Sequence, residues 1–194
     1  MRKIVLMMSV SLDGYFEGPD HDISWHLVDE ELHQHMNDLT RRMSGDLCGR
    51  VTFELMDGYW PTADTAPDVT PVEAEFAQLW RDLPKYVFSR TLEHVDDPNA
   101  TIVREVVPEE IRKLKEQPGG DLVVGGAVLA TEFMRHGLVD ELRIYVHPVL
   151  VGRGRRLFPS ADTLTSLDLV ETHTFRNGVV LLRYEVAAGG RTNP

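Results

Sequence analysis

Gly49-Arg50-Val51-Thr52, Ser89-Arg90-Thr91 and Gly125-Gly126-Ala127-Val128 each place glycine, hydroxyl or arginine at the end of an apolar run patterned like a β-strand. In the first and third, a helical pattern follows directly. The first N–H groups of a helix have no intrahelical acceptor, and they point outward with the positive end of the helix dipole. Such a terminus favours anions. Arginine adds a planar fork of donors matched to phosphate. Three joints of this kind suit one ligand with several phosphates, a nucleotide. Singly, each has a plainer reading. A glycine pair at a strand end can be a tight turn that packs helix on strand. Arg50 and Arg90 can be solvated surface arginines. The G-x-G-x-x-G spacing of the Rossmann fingerprint is absent, and the Gly125 joint follows a late strand rather than the first.

Other chemistry has less to stand on. Asp13, after the first strand, and Glu30 are candidates for placing a substrate or a proton-delivering water, although Asp29 and Glu30 also fit simple helix capping. His33 and His35 are two apart on a helix and face different ways. His21 and His26 flank a loop turn. With no H-x-x-x-H and a single cysteine, Cys48, no metal site is expected. Ser9 and Ser11 lack the context of a nucleophile elbow.

The formal net charge of −11 argues against nucleic acid and anionic membranes as partners, since both reward a basic face. It leaves room for a small anionic ligand held by a local cluster of donors. One cysteine allows no intrachain disulfide, and a cytoplasmic location is expected. No apolar stretch is long enough to cross a membrane. The opening MRKIVLMMSVSLDG is read as a strand rather than a leader, because Asp13-Gly14 closes the apolar run like a turn.

The elements that would carry these joints follow from periodicity. Residues 3–10 form a buried strand, and 13–28 a long polar loop of the kind that serves as a lid. A helix begins after Asp29 with the stripe Leu32, Met36, Leu39 and Met43. Strands at 46–49, 85–89, 101–105 and 122–124 alternate with helices at 50–56, 72–82, 108–116 and 126–136. Residues 61–71 carry three prolines and are read as loop. A long strand spans 141–152, with Pro148 indicating an edge or bulge, and its Tyr145/Val149 run suits a dimer face. Runs on either side of Arg176-Asn177-Gly178 make a hairpin. Alternating strands and helices imply a mostly parallel sheet, covered on both faces, with ligands at the carboxyl ends of its strands. One domain is expected over 1–187, with a flexible tail over 188–194.

The three joints, with Ser11-Leu12-Asp13-Gly14, GLVDEL (137–142) and HPVLVGRGRRLF (147–158), resemble the dihydrofolate reductase-like superfamily. The resemblance is closest to the reductase domain of the riboflavin-biosynthesis deaminase–reductase and its stand-alone bacterial relatives, and it covers about residues 3–186. It implies an α/β single domain with a mixed, mostly parallel central sheet and a C-terminal antiparallel hairpin. It implies NADPH as cofactor and a homodimer. Gly49, Arg50, Val51 and Thr52 would hold phosphates and the adenosine end, and Ser89, Arg90 and Thr91 the 2′-phosphate. Gly125, Gly126, Ala127, Val128 and Leu129 would pass under pyrophosphate and nicotinamide, bordered by Ser9 and Val10. The implied reaction is hydride transfer to a heterocycle or ribosylamino-pyrimidine. Two alternatives stand beside it. One is folate-type reduction, although Pro84 occupies the place of the arginine that grips the folate tail. The other is a non-catalytic nucleotide- or flavin-binding dimer. Arg153, Arg155 and Arg156 could meet a substrate phosphate or form a dimer rim.

Overall fold

The apolar run Ile4–Ser11 forms β1 near the middle of an eight-stranded sheet of order β5-β4-β3-β6-β1-β7-β10-β9. The computed structural model describes residues 1–158 and 164–187; the expected tail at 188–194 lies outside the described residues. The other sheet strands are β3 (Met43–Gly49), β4 (Lys85–Phe88), β5 (Ala100–Val103), β6 (Asp121–Gly125), β7 (Glu141–His147), β9 (Leu167–Thr174) and β10 (Val180–Val186). The pairings from β5 across to β7 are all parallel, and only β10 runs the other way, antiparallel to both β7 and β9. The carboxyl ends of β4, β3, β6, β1 and β7 therefore share one edge.

Alternation along each strand sends its side chains to two separate cores. On one face Leu6, Leu47, Val124 and Leu142 pack against Ile111 of α4 (Pro108–Glu116) and Phe133 of α5 (Ala127–Arg135). On the other, Leu32 of α1 (Glu30–Thr40) meets Tyr145 and Leu181. On that same face Phe53 of α2 (Arg50–Asp57) and Trp80 of α3 (Pro71–Asp82) meet Cys48 and Val87. No helix among the described residues is long and apolar enough to cross a membrane.

Several expectations need correction. α1 stops at Thr40, and Met43 opens β3 instead of completing the helical stripe. β7 stops at His147, before Pro148, and lies between β1 and β10, so it is not an edge. Tyr145 is fully buried against Phe175 and Leu32 and offers nothing to a dimer face. The edge on that side is β9, exposed along its whole length. The 13–28 loop contains β2 (Tyr15–Glu17), which pairs with β8 (Arg155–Arg156). The proline-bearing segment includes a 3-10 turn at Trp60–Thr65. The hairpin forms where expected, closing over the three residues Arg176-Asn177-Gly178 with Gly178 at φ +86°.

Candidate functional site

Register brings the three joints together. Phe88, just before Ser89, pairs with Gly49, and Cys48 pairs with Gly125. The joints thus stand at the ends of neighbouring strands β4, β3 and β6. Thr52 leans from the first turn of α2 onto Gly126: a Cβ added at Gly126 would lie 2.6 Å from the Thr52 hydroxyl oxygen.

The helix termini differ in a way that bears on binding. α1 is capped by Asp29, whose Oδ1 accepts from Leu32 N at 3.0 Å, and α3 by a capping box of Thr70 and Glu73. α2 and α5 start from Gly49 and Gly126 with no side-chain cap. Their first-turn amides keep no acceptor from a capping side chain, and both termini face the same edge. Gly49 has an ordinary φ of −79°, and a Cβ there would meet nothing within 4 Å. A Cβ on Gly125 would come no nearer than 3.9 Å to any neighbour. Packing within the chain does not require glycine at either place. Gly126 is different: its φ is +85° and its Cβ would strike Thr52. Here the plain tight-turn reading holds, whatever else binds.

The next strands form a wall. Val124 near the end of β6 pairs with Leu6, whereas β1 continues beside β7 until Ser11 pairs with His147. β1 therefore overhangs β6 by about five residues, about 16 Å. Lys3 O accepts from Leu122 N and Ile4 O from Asp140 N, which fixes the alternation of the backbone. Odd-numbered residues turn toward β6 and even-numbered ones toward β7. Ser9 consequently aims its N–H and C=O into the space beyond the end of β6. Val10 turns its backbone to β7 and its side chain into the core. Ala127 and Leu129 are also core side chains, while Val128 is exposed. These three core residues can meet a ligand only through backbone, if at all.

The arginines and the hydroxyl at the second joint are placed unevenly. Arg90 and Thr91 are exposed. Arg50 folds back along α2 to Glu54 at 2.8 Å. Ser89 is buried, and its Oγ accepts from Thr91 N and Leu92 N. Arg104, which no local pattern marked, braces this turn by donating to Ser89 O at 3.1 Å and Leu92 O at 2.5 Å. Val51 is exposed on α2.

Of the two candidate acids, Asp13 is a tie. Its carboxylate accepts from Ser11 Oγ at 2.6 Å, Gly152 N at 2.8 Å and Val151 N at 3.1 Å. The Ser11 bond, with the two amides behind it, holds its pKa below the usual range. It clasps the end of β1 to the loop after β7 and has no proton to give near neutrality. Glu30 is exposed in the first turn of α1, beside an open depression lined by Asp29, Glu31, Gln34 and Arg176. The glycine corners line a shelf formed by the carboxyl ends of β4, β3 and β6. Beneath Gly125, burial pushes the Asp46 carboxyl up to about 6, partly offset by the Cys48 thiol and Lys85.

A histidine pair closes the far end of the wall. His147, buried at the end of β7, accepts from Leu27 N at its Nδ1 (3.0 Å), and its ring stacks on His26 at 5.0 Å. The Nε2 atoms of both rings are buried without partners. Asn177 Nδ2 also donates to Leu27 O, at 3.0 Å. The segment before Glu30 is thus pinned to the sheet. These histidines are 121 residues apart, so no spacing could reveal them.

Residues 2–181 match the RibD C-terminal domain family. The chain is 38% identical over 184 residues to the uncharacterized protein YyaP of Bacillus subtilis (strain 168), covering 94% of each. Solved structures share its fold. A Shewanella sp. PV-4 protein proposed for riboflavin biosynthesis superposes with a TM-score of 0.73 at 20% identity, over 96% of this chain and 99% of that one. A Thermotoga maritima diaminohydroxyphosphoribosylaminopyrimidine deaminase/5-amino-6-(5-phosphoribosylamino)uracil reductase gives a TM-score of 0.65 at 16% identity, over 96% of this chain and 57% of that longer one.

Proposed function

The chain belongs to the RibD C-terminal domain family, and from that premise we propose that it is an NADPH-dependent reductase of a small carbonyl or heterocyclic compound, working at the shared edge of β4, β3, β6 and β1. One observation carries the reading. Two helices begin side by side from glycine without side-chain caps, and at Gly49 and Gly125 the space a Cβ would take is vacant for no internal reason. A dinucleotide phosphate fits that shelf, because free amides and the positive ends of two helix dipoles supply what a pyrophosphate needs.

NADPH, when bound, supplies a hydride. The residues of this chain bind and orient. Amides of α2 and α5 hold phosphate oxygens. Arg90, exposed beside the turn that Arg104 braces, takes the 2′-phosphate. Ser9 offers backbone N–H and C=O to the ring amide. The substrate lies over the overhang of β1 and β7, under the segment pinned by His147. A C=O or C=N group held there would be the one reduced, its oxygen or nitrogen gaining a proton from water. Glu30 orients that water. Asp13 holds the loops that frame the site. The homodimer implied by the family resemblance would use exposed β9, not β7.

Calorimetric titration with NADPH and NADH tests this. NADPH is expected to bind more tightly. Arg90→Ala is expected to weaken NADPH about tenfold, the worth of one charge-assisted hydrogen bond, and to leave NADH unchanged. Equal losses for both coenzymes would remove Arg90 from the 2′-phosphate.

A further inference from the structure

The vacant space at Gly125 has an acid for a floor. A Cβ added there would find Asp46 Oδ1 and Thr52 Cγ2 as its nearest neighbours, both at 3.9 Å. Asp46 is only 8% exposed, so its carboxyl sits inside the protein yet borders the one gap that a ligand over Gly125 would use.

Nothing around this carboxyl neutralises it fully. In register Asp46 stands between Lys85 of β4 and Val123 of β6. Lys85 is engaged elsewhere: its Nζ lies 2.8 Å from Asp97 Oδ2, donates to Leu83 O at 3.0 Å and rests over the Trp80 ring. Val123 and Gly125 bring no charge. From α2 comes the uncharged Thr52, while Arg50 turns back to Glu54. The Cys48 thiol is the hydrogen-bond partner of the carboxyl, and Lys85 acts on it only through its field. Burial therefore dominates and raises the group to about 6. In the free protein at neutral pH Asp46 is mostly ionised.

An ionised Asp46 is at odds with a phosphate resting over Gly125. Two anions meeting in a poorly solvated corner repel each other far more than in water. A neutral Asp46 removes that repulsion. Resting on the reductase reading above, we propose that the coenzyme binds together with a proton: Asp46 takes one up from solvent as phosphate settles over Gly125, and this acid sets how coenzyme affinity changes with pH. The coupling is reciprocal, since a ligand that favours the protonated form is itself bound more tightly by it. Affinity falls as pH rises above about 6, by at most about tenfold per pH unit.

The intact protein is titrated calorimetrically with NADPH at about pH 7.5, in two buffers of different ionisation enthalpy, which counts protons. The 2′-phosphate itself titrates near 6, so the parent is read against Asp46→Asn, where that contribution is the same. The parent is expected to take up about a half to one proton more per NADPH than the variant. Asp46→Asn is expected to bind NADPH about tenfold more tightly than the parent at about pH 8, and equally at about pH 5. Equal proton counts and equal affinities at every pH overturn the proposal and leave NADPH binding standing. If NADPH binds neither protein, the reductase reading fails, and this proposal with it. A second readout needs no variant: the infrared difference spectrum of the parent on binding NADPH should gain the C=O stretch of a buried neutral carboxyl. A spectrum without that band also overturns the proposal.

Discussion

Gly49→Val and Gly125→Val are expected to melt close to the parent protein and to bind NADPH about 10–100-fold more weakly. The vacant space beside each glycine is the reason to expect both halves of this result. Neither position has a positive φ, and a Cβ would touch nothing within 4 Å at Gly49 and nothing nearer than 3.9 Å at Gly125. The fold therefore has little to lose. A side chain standing where a pyrophosphate must approach backbone overpacks the complex instead, at about 1–3 kcal/mol, which is the stated range in affinity. Gly126→Ala is the contrasting control. Forcing Cβ onto a φ of +85° and toward Thr52 Oγ1 strains the free protein, by about 1–2 kcal/mol for the backbone alone. Its melting temperature should fall before any ligand is added. Thermal melts beside calorimetric titrations separate the two behaviours. Normal NADPH affinity in both valine variants would show that the shelf is not a phosphate site.

That contrast also marks how far sequence reading reaches. The glycine joints were legible because each is local: a strand pattern ends, glycine follows and a helix begins. The mostly parallel sheet, with ligands at the carboxyl ends of its strands, follows from alternation of elements; the strand order does not. Distinguishing Gly126 from Gly125 was beyond it, because the difference depends on Thr52 arriving from another helix. The overhang that frees Ser9 is equally hidden, since it depends on where β6 stops against β1. By sequence Tyr145 suits a dimer face, in a strand whose Pro148 indicates an edge or bulge. The returning hairpin covers that strand, and nothing near Tyr145 in the chain announces it. Arg155 and Arg156 can be read as basic, but not as spent on Glu17 and Tyr15 some 140 residues away. Residues whose role is set by their own neighbours were readable; those whose role is set by long-range register were not.

His147→Asn is expected to gain stability relative to the parent as pH falls from about 6.5 to about 4, by about 2–3 kcal/mol in total. Burial, and then the neighbouring His26, push His147 down from 6.5 to about 4. Burial lowers His26 as well, against the pull of Asp22. A histidine with a lowered folded-state pKa contributes fully above its unfolded value. Its contribution is lost as pH falls, because the unfolded chain takes up the proton first. Protonation would also set an N–H on Nδ1 against the Leu27 N–H it now accepts. The parent's own pH profile will not show this cleanly. Asp46, raised from 3.8 to about 6, works in the opposite sense over nearly the same range: it favours the fold as pH falls through 6, by a similar amount. The two nearly cancel, and His26, His33 and His35, also lowered by burial, tilt the parent toward losing stability between pH 6.5 and 4.5. Each variant exposes what the other hides. Asparagine at 147 can still accept from Leu27 but cannot titrate, leaving Asp46 to stabilise the protein in acid. Asp46→Asn should leave His147 alone and make the protein acid-labile. Exposed carboxylates contribute only lower down, and Glu141 and Asp13, whose pKa values are lowered, lose their share below about 4.5. Urea unfolding at pH 6.5, 5.5 and 4.5 on the three proteins reads the pattern. Parallel profiles for all three would mean that neither buried group titrates as its surroundings require. Coincident profiles for the parent and Asp46→Asn, with His147→Asn rising above both as pH falls, would leave the histidine clasp intact and remove Asp46 from the balance.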